Sequence, residues 1–191
     1  MMSDIYIGSA TKIIDLGCGH NKQYFGPGVT VVGVDRTPDS HADEVCELGF
    51  DAMPFEDSTF DFAIANHFIE HVPNIFVYYG PDLKLHTSRP VIQLFNDVYR
   101  VLKHMGVFHI EVPLVERGFI PAFQDPTHVS YWTMETFHYF SGDYFSHHDT
   151  YGHTSRFQAI SRHVKNGWIG VIRLQAIKNL PVDAPYKLFY E

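Results

Sequence analysis

Apolar residues fall along this chain in short runs bounded by glycine, proline or acids, and most runs have the length of strands rather than helices. Lys12-Ile13-Ile14-Asp15-Leu16 is the first, ending in a glycine turn as a buried parallel strand does. Val29 to Asp35 is the second and closes on an acid. Glu44 to Leu48 predicts a shorter third strand, Phe60 to Asn66 a fourth, and Val107 to Val112 a fifth, stopped by Pro113. Before the fifth, Val91 to His104 has helical spacing, with Ile92, Phe95, Val98, Tyr99 and Leu102 on one face. Phe157 to Val164 and Trp168 to Ala176 predict two further strands, joined by a turn at Lys165-Asn166-Gly167. Strands alternating with crossovers, then a terminal hairpin, imply an α/β fold whose sheet is mostly parallel.

The connections are short. Only Gly17 to Gly28 separates the first two strands, and Arg36 to Asp43 and Pro54 to Thr59 carry little helical pattern. Helices on one face are therefore expected to be reduced, although "KIIDL" and "VTVVGV" read as strands buried on both sides. Something else must cover that face: an aromatic loop, the tail from Leu180 to Glu191, or a second copy of the chain. A homodimer is the favoured expectation, because a bare apolar sheet face usually marks an association site.

Length and composition narrow the setting. The 191 residues suit one domain spanning 1–191, and 45% hydrophobic with 15% aromatic residues can bury a real core. No apolar run approaches the roughly 18 residues of a membrane span. Met1 to Ala10 lacks the features of a signal peptide, and Cys18 and Cys46 form no close pair, so a reducing, cytoplasmic setting is expected. The net charge of −8 and the lack of a Lys/Arg cluster argue against nucleic acid as a partner.

The strongest chemistry lies in "IIDLGCGHNK". A strand delivers Asp15, and Gly17 and Gly19 let the backbone turn tightly and approach a ligand. Asp35 lies 20 positions further on, at the end of the next strand, where an acid can accept both hydroxyl protons of a ribose. The dinucleotide fingerprint G-x-G-x-x-G fails, because Lys22 holds the third glycine's place, and there is no P-loop. A nucleoside bound without a pyrophosphate would explain the pattern; a plain β-turn beside a surface aspartate would too.

In order along the chain stand "DLGCG", "GVD", "ADEVCEL", "MPFEDSTFDFAIANHFIEHV", "VYRVLKHMGVFHIEVP" and "DPTHVSYWT". This ordered set, over about residues 12–140, resembles the class I S-adenosylmethionine-dependent methyltransferases, in particular small ones of the methyltransferase type 11 kind. The resemblance implies a Rossmann-like fold with a mostly parallel seven-stranded sheet and a C-terminal antiparallel hairpin, and S-adenosylmethionine as cofactor. It implies that Asp15, Gly17 and Gly19 hold the aminoacyl end, with the Cys18 backbone against it. Asp35 takes the ribose hydroxyls and Arg36 flanks the adenine, whose edge meets Glu47 and Leu48. Asn66 and His67 face the methionine moiety. Against the family pattern, residues 76–90 read as an insertion, residues 113–156 as a substrate-side loop and helix, and "KHMG" replaces the usual K-P-G-G.

His67-Phe68-Ile69-Glu70-His71 also matches the H-x-x-E-H pattern of a zinc-peptidase class. Similar methyltransferases carry an E-H pair just after the fourth strand, so His67 is expected at a strand end, not on a helix face shared with His71. No protease is expected.

Methyl transfer is an in-line displacement, and an acceptor that loses a proton needs a nearby base. The candidates are His128 in "FQDPTHVSYW" and His67. The competing role for His128 is structural: with Asp125 and Thr127 it would brace a turn before a helix starting near Thr133. His147, His148, Asp149 and His153 have no spacing that defines a metal site, so no metal is assigned. Phe119, Phe123, Tyr131, Trp132, Phe137, Tyr139 and Phe140 could form an apolar acceptor pocket, but at this density most are expected to be core. The expected function is methylation of a small-molecule or glycan acceptor. The alternative is a non-catalytic module that binds S-adenosylmethionine or S-adenosylhomocysteine.

Overall fold

The apolar runs become strands much as their pattern dictates. A computed structural model describes residues 10–116, 120–141 and 151–178. It contains β1 (Lys12–Leu16), β2 (Thr30–Asp35), β3 (Glu44–Val45), β4 (Phe60–Asn66), β5 (Phe76–Tyr79), β6 (Leu85–Ser88), α1 (Pro90–Val101), β7 (Leu102–Pro113), α2 (Pro121–Gln124), β8 (Phe157–Lys165) and β9 (Ile169–Ala176). Seven strands form one sheet in the order β3-β2-β1-β4-β7-β9-β8. The first five run parallel, and β9 and β8 are antiparallel to their neighbours. The strand order reverses between β1 and β4, which opens a ligand crevice at the carboxyl edge. Asn166 and Gly167 both take positive φ between β8 and β9, the backbone a tight hairpin requires.

One face of the sheet carries the core. Ile14 and Leu16 of β1, Ala63 and Ala65 of β4, and Phe108, Ile110 and Val112 of β7 point into one buried cluster. α1 lies over it: Pro90 opens the helix, and Val91, Leu94, Phe95, Val98 and Val101 turn inward at helical spacing. The Phe95 ring stacks on Phe140 at 3.8 Å.

Three boundaries differ from the pattern. The helix expected to reach His104 ends at Val101, because Leu102 takes an extended backbone and pairs with Phe60 of β4. Lys103 then bonds Asp61 at 2.7 Å, and Met105 turns the chain with φ of 65°. β3 stops at Val45 instead of Leu48, since its partner β2 ends at Asp35 and offers nothing further to pair with. The helix expected near Thr133 is a 3-10 segment, Glu135–Tyr139, entered through reciprocal bonds between Thr133 and Thr136.

Among the described residues no helix joins β1 to β2, β2 to β3 or β3 to β4. The second sheet face nevertheless is not bare. Ile13 and Ile64 stand outside the core cluster, yet they are 0% and 1% exposed within a single chain. Further along, this face is polar: Glu111 accepts from Lys165 at 2.8 Å beside the buried His109. Burial pushes the His109 imidazole down to about 4, against the pull of Glu111. The apolar face that favoured a dimer is thus closed at its centre. The exposed apolar side chains gather instead on the separate β5–β6 hairpin, where Tyr79 is 73% and Leu83 84% exposed. The tail from Leu180 lies outside the described residues.

Candidate functional site

The glycine turn is tied to the end of β2. Gly17 and Gly19 both have positive φ, 64° and 50°. The Gly17 N–H donates to the Val34 carbonyl at 2.8 Å, and the Gly19 N–H donates to Asp35 Oδ2 at 2.9 Å. Asp35 also accepts the Thr37 N–H at 2.8 Å through Oδ1. The carboxylate expected to hold the ribose therefore also ties the turn after β1 to the end of β2. Lys22 reaches across to Asp43 at 2.9 Å, with its methylenes over Gly33. This explains the missing third glycine: no helix follows the turn, so no close helix–strand contact demands one.

Asp15 is buried at the base of the turn and accepts the Gln23 N–H at 2.8 Å. Burial raises its pKa to about 6, with the Gln23 bond and Lys22 pulling the other way. The unfolded chain releases this proton near pH 4 and the folded chain near 6, so ionisation in that window lowers stability. Binding of an ammonium group at Asp15 needs the ionised form. Affinity for S-adenosylmethionine is therefore expected to rise about tenfold from pH 5 to pH 7.5 and then level off. Calorimetry across that range checks it; Asp15→Asn should be weaker and flat over the same window.

The remaining expected contacts divide. Arg36 and Glu47 come together at 3.9 Å, both largely exposed at the rim beside Asp35. Leu48 does not reach that rim: it is buried in the core cluster, so it can offer the adenine only its backbone. Cys18 is buried, its Sγ 3.7 Å from the Gly19 carbonyl, and burial with Asp15 and Asp35 nearby raises the thiol to about 11. Only its backbone is suited to a ligand. Asn66 ends β4 with Oδ1 buried and without a hydrogen-bond partner. No atom lies within 4 Å of where a Cβ on Gly19 would stand. An open turn, an orphaned amide oxygen and two carboxylates at one sheet edge fit a nucleoside carrying an amino-acid tail.

Phe68 was not expected here. Its ring presses so closely on Gly17 that a Cβ there would meet Phe68 Cδ2 at 2.1 Å. A side chain at Gly17 would therefore collide first with this ring, and not only with a ligand. The string "NHFIEHV" places the aromatic next to the strand end, but nothing local says that it folds back over the turn.

His67 follows β4 with φ of 52°, and the next turn, Ile69–His71, is a 3-10 turn. Its half-exposed ring lies beside Trp168, with centroids 6.2 Å apart. Glu70, 3.5 Å from Nδ1, raises the His67 pKa above its ordinary value against the effect of burial. His71 points elsewhere, toward the Thr127 carbonyl at 3.2 Å and the His128 ring. His128 bonds the Ala122 carbonyl through Nδ1 at 2.8 Å, while Thr127 donates to Asp125 Oδ1 from N at 2.8 Å and from Oγ1 at 2.6 Å. These bonds brace the turn, and they leave His128 Nε2 available. Glu70 and His71, outside the expected site, are brought against His128; the E-H pair was the one visible sign.

Of the aromatics, Trp132, Phe137 and Phe140 are core, whereas Phe123 and Tyr131 are exposed and pack on each other at 4.7 Å, flanking the His128 loop in sequence. His153 is buried and bonded to the Ser155 hydroxyl at 2.8 Å. Phe119 and His147, His148 and Asp149 lie outside the described residues.

A family model described as a methyltransferase domain matches residues 14–110, from β1 into β7. No curated protein matches the chain significantly. Among solved structures, a protein of Methanosarcina mazei described as a SAM-dependent methyltransferase aligns with a TM-score of 0.58 at 19% identity, over 90% of this chain and 95% of its own. A SAM-dependent methyltransferase from Archaeoglobus fulgidus aligns at 0.52 and 15% identity, over 86% of each chain. A chain from a Haloferax volcanii complex of a methyltransferase with its activator aligns at 0.57 and 13%, over 92% and 87%. At such identities the structural likeness speaks for the fold. Among the described residues no helix is long and apolar enough to cross a membrane.

Proposed function

This chain belongs to the methyltransferase domain family and is an S-adenosylmethionine-dependent methyltransferase; on that footing we propose that it methylates a small molecule or a glycan. The carrying observation is the Asp35 carboxylate at the end of β2, which accepts from Gly19 and Thr37 through one oxygen each, so that each oxygen can still accept a further hydrogen bond. Asp35 takes the ribose, Asp15 the ammonium group, and Asn66 Oδ1 the methionine moiety. Bound there, S-adenosylmethionine supplies a methyl group activated on a sulfonium.

The acceptor side is formed by His67 and by the loop carrying His128, both at the carboxyl edge. The exposed pair Phe123 and Tyr131 suits an acceptor with a flat apolar face, such as a sugar ring. The net charge of −8 favours neutral or cationic acceptors over nucleic acid. Two free, buried cysteines suit a reducing compartment, and this reading places the protein in the cytoplasm. With the sheet face closed at Ile13 and Ile64, the surface left for a second copy of the chain is the β5–β6 hairpin. Light scattering at micromolar concentration checks that assembly: a mass near 21.9 kDa removes it.

The test is transfer of a labelled methyl group from S-adenosylmethionine to a panel of hydroxyl- and amine-bearing small molecules and oligosaccharides. Labelled product is expected, together with S-adenosylhomocysteine. Tight cofactor binding without transfer to any member would instead favour the non-catalytic module. On a productive acceptor, His128→Ala is expected to lower kcat by about a hundredfold while leaving cofactor affinity within about threefold. Equal turnover would leave His128 with its bracing role alone.

A further inference from the structure

Glu70 is a buried carboxyl group whose ion-pair neighbour among the described residues, His67, is set back from hydrogen-bonding distance. It is 1% exposed, and neither carboxylate oxygen has a hydrogen-bond partner. Its nearest cationic neighbour, His67 Nδ1, stands 3.5 Å from Oε1, which is too long for a good hydrogen bond. A buried carboxylate that accepts no hydrogen bond is costly, and its persistence calls for a compensating ligand.

Two imidazoles face the same place. One ligand-capable atom each from Glu70, His71 and His128 lies within 4.8 Å of the other two. The two rings meet edge to face at 4.9 Å. His128 Nδ1 lies 2.8 Å from the Ala122 carbonyl, and His71 Nδ1 3.2 Å from the Thr127 carbonyl. A carbonyl oxygen only accepts, so each Nδ1 is the donor, and in the neutral imidazole Nε2 is then the nitrogen with the lone pair. Histidines that bind metals are oriented in this way, by donating their other ring N–H to the backbone.

The frame beneath is tightly made. The N–H groups of Val129 and Ser130 both donate to the Glu70 carbonyl, at 2.9 and 3.0 Å. Ser130 Oγ donates to the Ile69 carbonyl at 3.0 Å and accepts the Trp132 indole N–H at 2.9 Å. The turn after β4 and the His128 loop are thereby fastened together, with the three side chains between them. A second carboxylate, Asp125, lies at the rim, with Oδ2 3.9 Å from His128 Nε2.

We propose that Glu70, His71 and His128 form a binding site for a divalent transition-metal cation. Two neutral imidazoles and one carboxylate suit zinc, manganese, iron, cobalt or nickel better than calcium or magnesium. Metal–ligand bonds of about 2.1 Å set ligand atoms roughly 3–3.4 Å apart, so side-chain torsions must draw this trio together by about 1–2 Å. Three protein ligands leave coordination positions open at the carboxyl edge of the sheet.

The role assigned to the ion rests on the methyltransferase reading: it would hold an acceptor hydroxyl and so direct methylation to oxygen. The oxygen lone pair forms the new carbon–oxygen bond as the carbon–sulfur bond breaks. The hydroxyl proton leaves to water or to a base other than the metal-bound His128, and the sulfonium becomes a neutral thioether.

Calorimetry tests the site with untagged, chelator-treated protein and zinc or cobalt(II) chloride alone, in the absence of acceptor. One ion per chain is expected. Glu70→Gln and His128→Ala should each weaken binding at least tenfold, on the order of what loss of even an outer ligand costs. His71→Ala, an exposed position, should do the same and guards against a misfolded Glu70 variant. All three variants should keep S-adenosylmethionine affinity within about threefold, and a His147→Ala/His148→Ala control should keep the metal. Absence of binding, binding unmoved by the three variants, or binding lost in the control overturns the site. Cofactor binding without metal refutes this inference alone; metal binding without cofactor refutes the methyltransferase reading and leaves the site standing.

Discussion

Asp35→Ala is expected to lower the affinity for S-adenosylmethionine by at least about a hundredfold in calorimetry. Two hydrogen bonds from the ribose hydroxyls to a charged acceptor are worth roughly 1.5–3 kcal/mol each. The same substitution releases the N–H groups of Gly19 and Thr37, so the turn loses one of its anchors on β2 and keeps the Gly17–Val34 bond. Asp35→Asn keeps one acceptor oxygen and should fall between parent and alanine variant. Thermal melts must accompany the titration, because a loosened turn also lowers stability. An unchanged affinity in a folded Asp35→Ala protein would sink the ribose assignment.

Gly17→Val should be the most damaging single change to the fold of the site. Gly17 sits at φ of 64°, where a β-branched residue is strained by about 1–2 kcal/mol. Its Cβ would also stand 2.1 Å from the Phe68 ring, and forcing extra carbon into packed space costs about 1–3 kcal/mol. For a chain of this size the sum corresponds to a fall in Tm of about 10 °C. Cofactor binding should be lost as well, since the turn belongs to the proposed cofactor site and the displaced ring packs against it. Phe68→Ala added to Gly17→Val separates the two causes: it should return the packing part of the stability and leave the backbone strain. If Gly17→Val melts and binds like the parent, the turn is not where the ligand sits.

Both predictions combine residues visible in the sequence with contacts that are not. β1 and β4 begin and end where their apolar runs do, because a buried strand needs a run of that length and a turn residue to stop it. Asp15, Gly17, Gly19 and Asp35 could be proposed as a nucleoside site because the features that suggest it lie close together in the chain. A glycine turn after a strand and an acid at the next strand's end are local features. The scarcity of helices was equally legible, since short connections have no room for them.

Tertiary pairing decided the rest. α1 yields to β7 at Leu102 because β4 offers an extended partner there, and helical spacing along one segment cannot report the length of another. Leu48 turns into the core once β3 has no partner beyond Asp35. The strand "KIIDL" shows in the sequence only that its second face needs cover, from a loop, the tail or a second copy, whereas Ile13 on that face is closed off within a single chain. The trio of Glu70, His71 and His128 is the plainest case. The E-H pair and the D-P-T-H segment could each be read, but nothing in either names the other. They meet because β4 and β7 are neighbours in the sheet and the loop after β7 returns across the same edge, hydrogen-bonding to the Glu70 carbonyl. Periodicity and turn chemistry act over a few residues, whereas the meeting of two loops is set by strand order and by the packing beneath them.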